Sequence, residues 1–307
     1  MDADHTEAVV REVSGWPASR VLSASEKILA KRPLFDIEAA GTCNIHCDFC
    51  PRLSMARPAQ VMSQETFEAV LGFLPADAWV LWSGLGDALT NRNLEVFIRA
   101  LRARGICSSL ITNGILLTPE RQATLVEAGI AEIQVSYHSV SRATYQRIVV
   151  RGGDIGRLHE NLEHLSHARP ADLRVRLDFT LTPANAHDVE AASKYASSLG
   201  FEFYLRRLHS RGGSIPSGRN ASPCVGCGIF AAVTLITAQG DILSCINDVE
   251  GSSRLGNVRD RSWVDVVRWK RDVIAGDRWF SACETCDDDY RWVILKLEGV
   301  DLPAEER

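Results

Sequence analysis

The strongest constraint on this 307-residue chain is a strand-then-helix rhythm that runs from Leu34 to Leu208. Short segments enriched in Val, Ile, Leu and aromatic residues fall at 35–40, 79–82, 106–111, 132–137, 174–181 and 202–205 and read as strands. Amphipathic helices are predicted between them over 63–74, 94–103, 119–128, 155–167 and 186–199. The punctuation agrees: Ser63 precedes Glu65, Thr118-Pro119 opens a helix, and Gly105, Gly129 and Gly200 stand at helix ends. Such alternation implies an α/β fold with a parallel sheet and right-handed crossovers. Six units make a partial (β/α)6 barrel.

The rhythm stops after Arg206. Residues 211–223 are rich in Gly, Ser and Pro, which is linker chemistry. Beyond them, 231–237 and 241–246 flank Ala238-Gln239-Gly240 and read as a β-hairpin, followed by a helix over 262–275 and a terminal helix from Tyr290. The expected organisation is a helical extension (1–33), the barrel (34–211) and a small C-terminal β-hairpin-plus-helix domain (212–307).

Composition excludes some partners. A net charge of −5 lacks the basic excess of a non-specific nucleic-acid binder. The longest apolar runs, such as 229–237, fall short of the roughly 20 residues a spanning helix needs. The N-terminus has no secretory pattern, so a cytoplasmic protein is expected, with neither membrane nor nucleic acid as partner.

Nine cysteines are many for a compartment that keeps thiols reduced, and metal ligation explains them better than disulfides. Cys43, Cys47 and Cys50 lie just after the first strand, Cys107 stands alone, and five more crowd between 224 and 286, which points to two metal sites. Three soft ligands can hold three irons of a cube and leave the fourth open to a chelating substrate. Zinc is the competing reading for both groups: His46 could complete the first set, and two Cys-x2-Cys pairs resemble a zinc ribbon. Cys107 is expected to be a small buried hydrophobe without chemistry. Tyr137, His138, Arg176, His209 and Arg211 fall at or past strand ends, where a polar substrate would find partners.

Cys43-x3-Cys47-x2-Cys50 after a first strand resembles the radical S-adenosylmethionine superfamily. That resemblance implies a 4Fe-4S cluster whose open iron binds S-adenosylmethionine, cleavage of the sulfonium bond, and a 5′-deoxyadenosyl radical that abstracts substrate hydrogen. Gly84, Gly86 and Asp87 are similar to the family's Gly-Gly-Glu turn, although Asp87 is one methylene shorter and Ala88 replaces a common proline. Asn113 belongs to a Thr-Asn-Gly segment like the family's, and Ser136 opens a run similar to its Ser-Leu-Asp segment, making both implied cofactor contacts. The C-terminal cysteines resemble the SPASM/twitch appendage, which implies that Cys227, Cys245, Cys283 and Cys286 hold one auxiliary 4Fe-4S cluster. Cys224 is then spare, either a bystander or a hydrogen-atom donor to a substrate radical.

The resemblance extends to aminocyclitol and aminoglycoside dehydrogenases and epimerases. It implies oxidation or epimerisation of a hydroxyl-bearing carbon on a small sugar-like molecule, with flavodoxin or ferredoxin as electron donor. A peptide-modifying maturase is the alternative, against which the first 33 residues leave no room for a separate leader-binding domain of ~80 residues. A zinc-binding interaction protein is the remote one.

Overall fold

The computed structural model of the protein describes residues 3–220, 226–276 and 278–299. Two helices, α1 (Ala3–Ser14) and α2 (Ala18–Leu29), precede the sheet. The six apolar segments become β1 (Leu34–Glu38), β2 (Trp79–Ser83), β3 (Cys107–Thr112), β4 (Glu132–Ser136), β5 (Arg174–Leu181) and β6 (Glu202–Arg207). They lie side by side in sequence order, and every neighbouring pair is parallel.

Parallel neighbours need crossovers. These run through α3 (Gln64–Phe73), α4 (Leu94–Ala103), α5 (Pro119–Ala128), the unforeseen short α6 (Arg142–Ile148) with α7 (Ile155–Ala168), and α8 (Val189–Ser198). The start and stop signals work as expected from sequence. Ser63 Oγ accepts the Thr66 N–H at 3.1 Å, and Gly129 ends α5 in the left-handed region at φ 90°. Phe35, Ile37, Val80, Trp82, Leu110, Ile133 and Leu177 are fully buried between sheet and helices, with Phe67 stacked on Phe97 at 4.1 Å.

Two features differ from the expected layout. The C-terminal hairpin, β7 (Val233–Ile236) and β8 (Asp241–Leu243), does not stand apart: β7 pairs in parallel with β1, Val233 opposite Leu34, and with β9 (Gly256–Asn257) it extends one sheet to nine strands. The start of the expected strand 231–237 is instead the end of a short helix, α9 (Gly228–Ala232), because the Cys227 sulfur accepts the Phe230 N–H and caps a turn there.

Next, α1 and α2 pack on the C-terminal unit, which carries α10 (Trp263–Gly276), α11 (Ser281–Glu284) and α12 (Tyr290–Gly299). Val9, Val13, Val21 and Ile28 join Phe230, Ile274, Trp292 and Leu295 in a second core. The two ends of the chain thus build one structure. Among the described residues no helix is long and apolar enough to cross a membrane.

Leu295 is fully buried in that second core. Leu295→Ala is expected to cost about 3 kcal/mol, measured as a lowered urea midpoint. An unchanged midpoint would mean that the two termini do not support each other.

Candidate active site

The chain leaves β1 into a loop that carries Cys43, Cys47 and Cys50, all partly buried. This loop has almost no regular structure of its own and is held from three sides. His46–Cys47 forms a short antiparallel ladder with Val149–Arg151, and Gly152, at φ 76°, lies so close that a Cβ there would meet Asn44 O at 2.2 Å. Asn113 Nδ2 donates to Asn44 Oδ1 at 2.9 Å and reaches the Cys43 sulfur at 3.6 Å. On the third side a Cβ on Gly86 would sit 2.2 Å from Ala40 O and 2.4 Å from Thr42 O, so only glycine fits.

Asp87, expected as a cofactor contact, completes that third support. Its N–H donates to Thr42 O at 2.8 Å, its Oδ1 accepts Leu89 N–H at 2.9 Å, and its Oδ2 accepts from Thr112 Oγ1 at 2.9 Å and Asn113 N at 2.8 Å. Oδ1 therefore caps the turn that follows Asp87, and Oδ2 braces the Thr112-Asn113-Gly114 loop. Gly84, at φ 107°, packs against Glu38, whose carboxylate is bound by Arg57 at 2.8 Å. Ser136 stands half-buried at the end of β4, opposite Asp178.

The three thiols lie within electrostatic reach of one another. Burial raises the pKa of Cys47, and Cys50 and Cys43 raise it further, as expected for thiols sharing one small volume. Burial likewise raises Cys43. A cationic cluster would relieve that mutual repulsion, so these residues fit the group. His46 is not a fourth ligand: its Nε2 lies 2.9 Å from Arg151 Nη2 and is engaged there.

The barrel interior beside this loop is polar. Asp36 accepts the Ser83 hydroxyl, Asp178 pairs with Arg176 at 2.5 Å and Arg206 at 2.8 Å, and Arg176 also reaches Gln134. The buried imidazole of His138 meets the ring of Phe49 edge-on at 5.2 Å. Burial lowers His138 and His209 to about 4, so both are neutral at physiological pH. Tyr137 departs from expectation. Alternation along the chain turns it away from His138, and its hydroxyl bonds His159 at 2.9 Å on α7. Cys107 also departs: it is exposed at the start of β3, and Ile106 takes the buried position.

Cys227, Cys245, Cys283 and Cys286 line one small pocket with Ile229, Phe230 and Asn247. Burial raises Cys245 to about 12 and Cys286 to about 11. Cys224 lies outside the described residues. Among the described residues no three His, Cys, Asp or Glu side chains converge on a point that a single metal ion could occupy.

Asp287, Asp288 and Asp289, absent from the residues expected to matter, fasten this second site to the barrel. Asp287 accepts from Ser210 N at 2.6 Å and Ser217 Oγ at 2.5 Å. Asp288 accepts from Asn247 Nδ2 at 2.9 Å and lies 3.6 Å from His209 Nδ1, while Asp289 binds Arg207 at 2.9 Å and also Arg219. The signal was present as three consecutive acids opposite the basic segment 206–219.

A partial parallel barrel whose first strand delivers three thiols to one mouth, with further thiols alongside, defines a class of cluster-bearing α/β proteins. Residues 37–195 match the model of the Radical SAM superfamily, and the chain belongs to that superfamily. It is 29% identical over 195 residues to a probable GTP 3′,8-cyclase of Aeropyrum pernix, covering 59% of this chain and 53% of that protein. It is 28% identical to a PqqA peptide cyclase of Rhodopseudomonas palustris, covering 49% of this chain and 40% of the relative. The chain thus spans about half, or less, of these relatives. Among solved structures, BtrN in complex with AdoMet and 2-DOIA overlays with a TM-score of 0.56 at 17% identity, covering 84% of this chain and 94% of that one. Streptococcus suis SuiB bound to precursor peptide SuiA gives 0.64 at 14% identity, covering 85% and 70%. These likenesses establish a shared fold.

Two measurements follow from the site. Gly86→Ala is expected to prevent iron loading at the first site, whereas Gly72→Ala, with nothing within 4 Å, should load normally; normal loading by both would refute the close-approach argument. Burial raises the Asp36 carboxyl to about 6. The folded state therefore holds this proton more tightly than the unfolded chain, and stability falls as pH rises from about 4 through the folded-state pKa. Asp36→Asn is expected to remove that decline, a gain of about 3 kcal/mol at neutral pH, read as urea midpoints at pH 5 and 8.

Proposed function

We propose that this chain cleaves S-adenosylmethionine beside Cys43, Cys47 and Cys50. The resulting radical oxidises or epimerises a hydroxyl-bearing carbon of a sugar-like small molecule, of the aminocyclitol or aminoglycoside kind. The observation that carries this reading is the second thiol pocket, joined to the polar barrel interior through Asn247, Asp288 and His209. Cys43, Cys47 and Cys50 would hold the catalytic 4Fe-4S cluster, and Cys227, Cys245, Cys283 and Cys286 an auxiliary one. When bound, the first supplies the electron that splits the sulfonium into methionine and a 5′-deoxyadenosyl radical, and the second supplies an acceptor for an electron left on the substrate.

The chain's own residues position the reactants. The turn of Gly84 and Gly86, Asn113 and Ser136 would contact S-adenosylmethionine, with Asp87 acting by holding Asn113 in place. His138, Arg176, His209 and Arg211 offer hydrogen-bonding groups in place of an apolar wall, which suits a hydroxyl-rich substrate. The reductant would be a small one-electron protein such as flavodoxin or ferredoxin, and the compartment the cytoplasm, where thiols stay reduced.

A peptide substrate is the second reading. It is favoured by the fold shared with SuiB and the similarity to a PqqA peptide cyclase. A zinc-binding interaction protein is the remote reading, disfavoured by the match to the Radical SAM superfamily.

Anaerobically reconstituted protein is expected to bind about eight irons per chain, as two cubes require. Cys43→Ala should abolish 5′-deoxyadenosine formation, and continued formation would falsify the assignment. In the epimerase form of the proposal, Cys224→Ala keeps S-adenosylmethionine cleavage and loses inverted product; unaltered turnover would remove Cys224 from the mechanism.

A further inference from the structure

Arg211 adopts φ 52°, the one positive value among the described non-glycine residues. A side chain in the left-handed region costs free energy and persists only where the surroundings fix it. Here they do. Ser210 is tied to Asp287 and Thr285, the Thr285 hydroxyl donates to Gly212 O at 2.7 Å, and Gly213 N donates to Ser210 Oγ at 3.2 Å. Gly212 and Gly213 also have positive φ, and a Cβ on Gly212 would lie 2.6 Å from Asn247 O.

The strained backbone holds a half-buried guanidinium within electrostatic reach of Cys50, next to a glycine packed against Asn247 of the second thiol pocket. Asp288, Arg206, Cys50 and Asp36 are the charged groups within its electrostatic reach, yet among the described residues none gives it a hydrogen bond or ion pair. The nearby carboxylates are committed elsewhere: Asp36 to Ser83, Asp178 to Arg176 and Arg206, and Asp288 to Asn247 and Tyr290 N. Neighbouring groups are unmatched too. Arg206 Nε and the Nδ1 atoms of buried His209 and His138 are buried without a hydrogen-bond partner. Guanidinium nitrogens only donate, so a ligand that brings acceptors, in place of solvent, matches what this group offers.

We propose that Arg211 anchors the substrate by binding an oxyanion on it, a carboxylate or a phosphate ester. This rests on the sugar-processing reading above and, within it, selects substrates that carry an acidic or phosphate group over amino sugars that carry only ammonium groups. A planar fork of donors matches two oxygens of such a group, and the pairing removes an uncompensated charge from the site. Arg206 Nε and His209 lie close enough to contribute further contacts.

The test uses full-length, anaerobically reconstituted protein and calorimetric titration with glucose, glucuronate and glucose 6-phosphate. At least one of the two anionic sugars is expected to bind about tenfold more tightly than glucose, the effect of one charged hydrogen-bonded pair. Which anion gains the advantage distinguishes carboxylate from phosphate. In Arg211→Met the advantage should vanish, and in Arg211→Lys it should be partly retained. Arg211→Gly suits the left-handed backbone, so it should fold at least as stably as the parent while also losing the advantage. The proposal is overturned if neither anion outperforms glucose, including the case where nothing binds, or if the preference survives in the Met and Gly variants. Altered cluster spectra with an unchanged preference would also overturn it, making Arg211 a counter-charge to the first cluster. Absence of bound iron would overturn the parent reading as well, whereas full iron loading without anion preference defeats the Arg211 assignment alone.

Discussion

The approach of Gly86 to the carbonyls of Ala40 and Thr42 is the contact on which the rest of the structure depends. An irregular loop bearing three thiols loses much conformational entropy when it is fixed, and it has few internal hydrogen bonds to offset that loss. Its order is borrowed from successive strands: Gly86 and Asp87 after β2, Asn113 after β3, and Gly152 beyond β4 each bind or abut it. Asp87 links two of these supports, since one carboxylate spans the turn after β2 and the loop after β3. The site is the product of sheet order, because only strands adjacent in space can place these loops together.

The same logic ties the second thiol pocket to the first. Parallel pairing of β7 with β1 makes the C-terminal hairpin part of the barrel sheet. The carboxylates of Asp287, Asp288 and Asp289 then hold the segment leaving β6 against the last cysteine pair. Partly buried acid-base pairs are poor sources of stability but good sources of geometric specificity. Here they set where the linker passes, and with it where Arg211 points. Beneath this, α1 and α2 supply five of the fifteen buried residues of the second core, so the N-terminal extension packs as part of the C-terminal unit.

All six barrel strands were legible in the sequence, because each is a short apolar run between punctuated helices. The two thiol groups were legible because cysteine is rare enough for clustering to carry meaning. Other features were not. Nothing local marks Val233–Ile236 as a partner of Leu34–Glu38, since register across 200 residues is a tertiary choice. Asp87 was read as a ligand contact because its neighbours resemble a binding turn, but its burial and four accepted or donated bonds are visible only when β3 is in place. Cys107 was expected to be buried and is exposed, because Ile106 occupies the inward position. Tyr137 and His138 were grouped by sequence proximity, although adjacent residues in an extended chain face opposite ways.

The central claim is that one thiol set leaves a coordination position open to S-adenosylmethionine and the other does not. Electron paramagnetic resonance of the reduced, fully loaded protein with and without S-adenosylmethionine tests it most directly. Two cluster signals are expected, of which only the one abolished by Cys43→Ala shifts when the sulfonium is added. A single signal, or two signals that both ignore S-adenosylmethionine, would contradict the account.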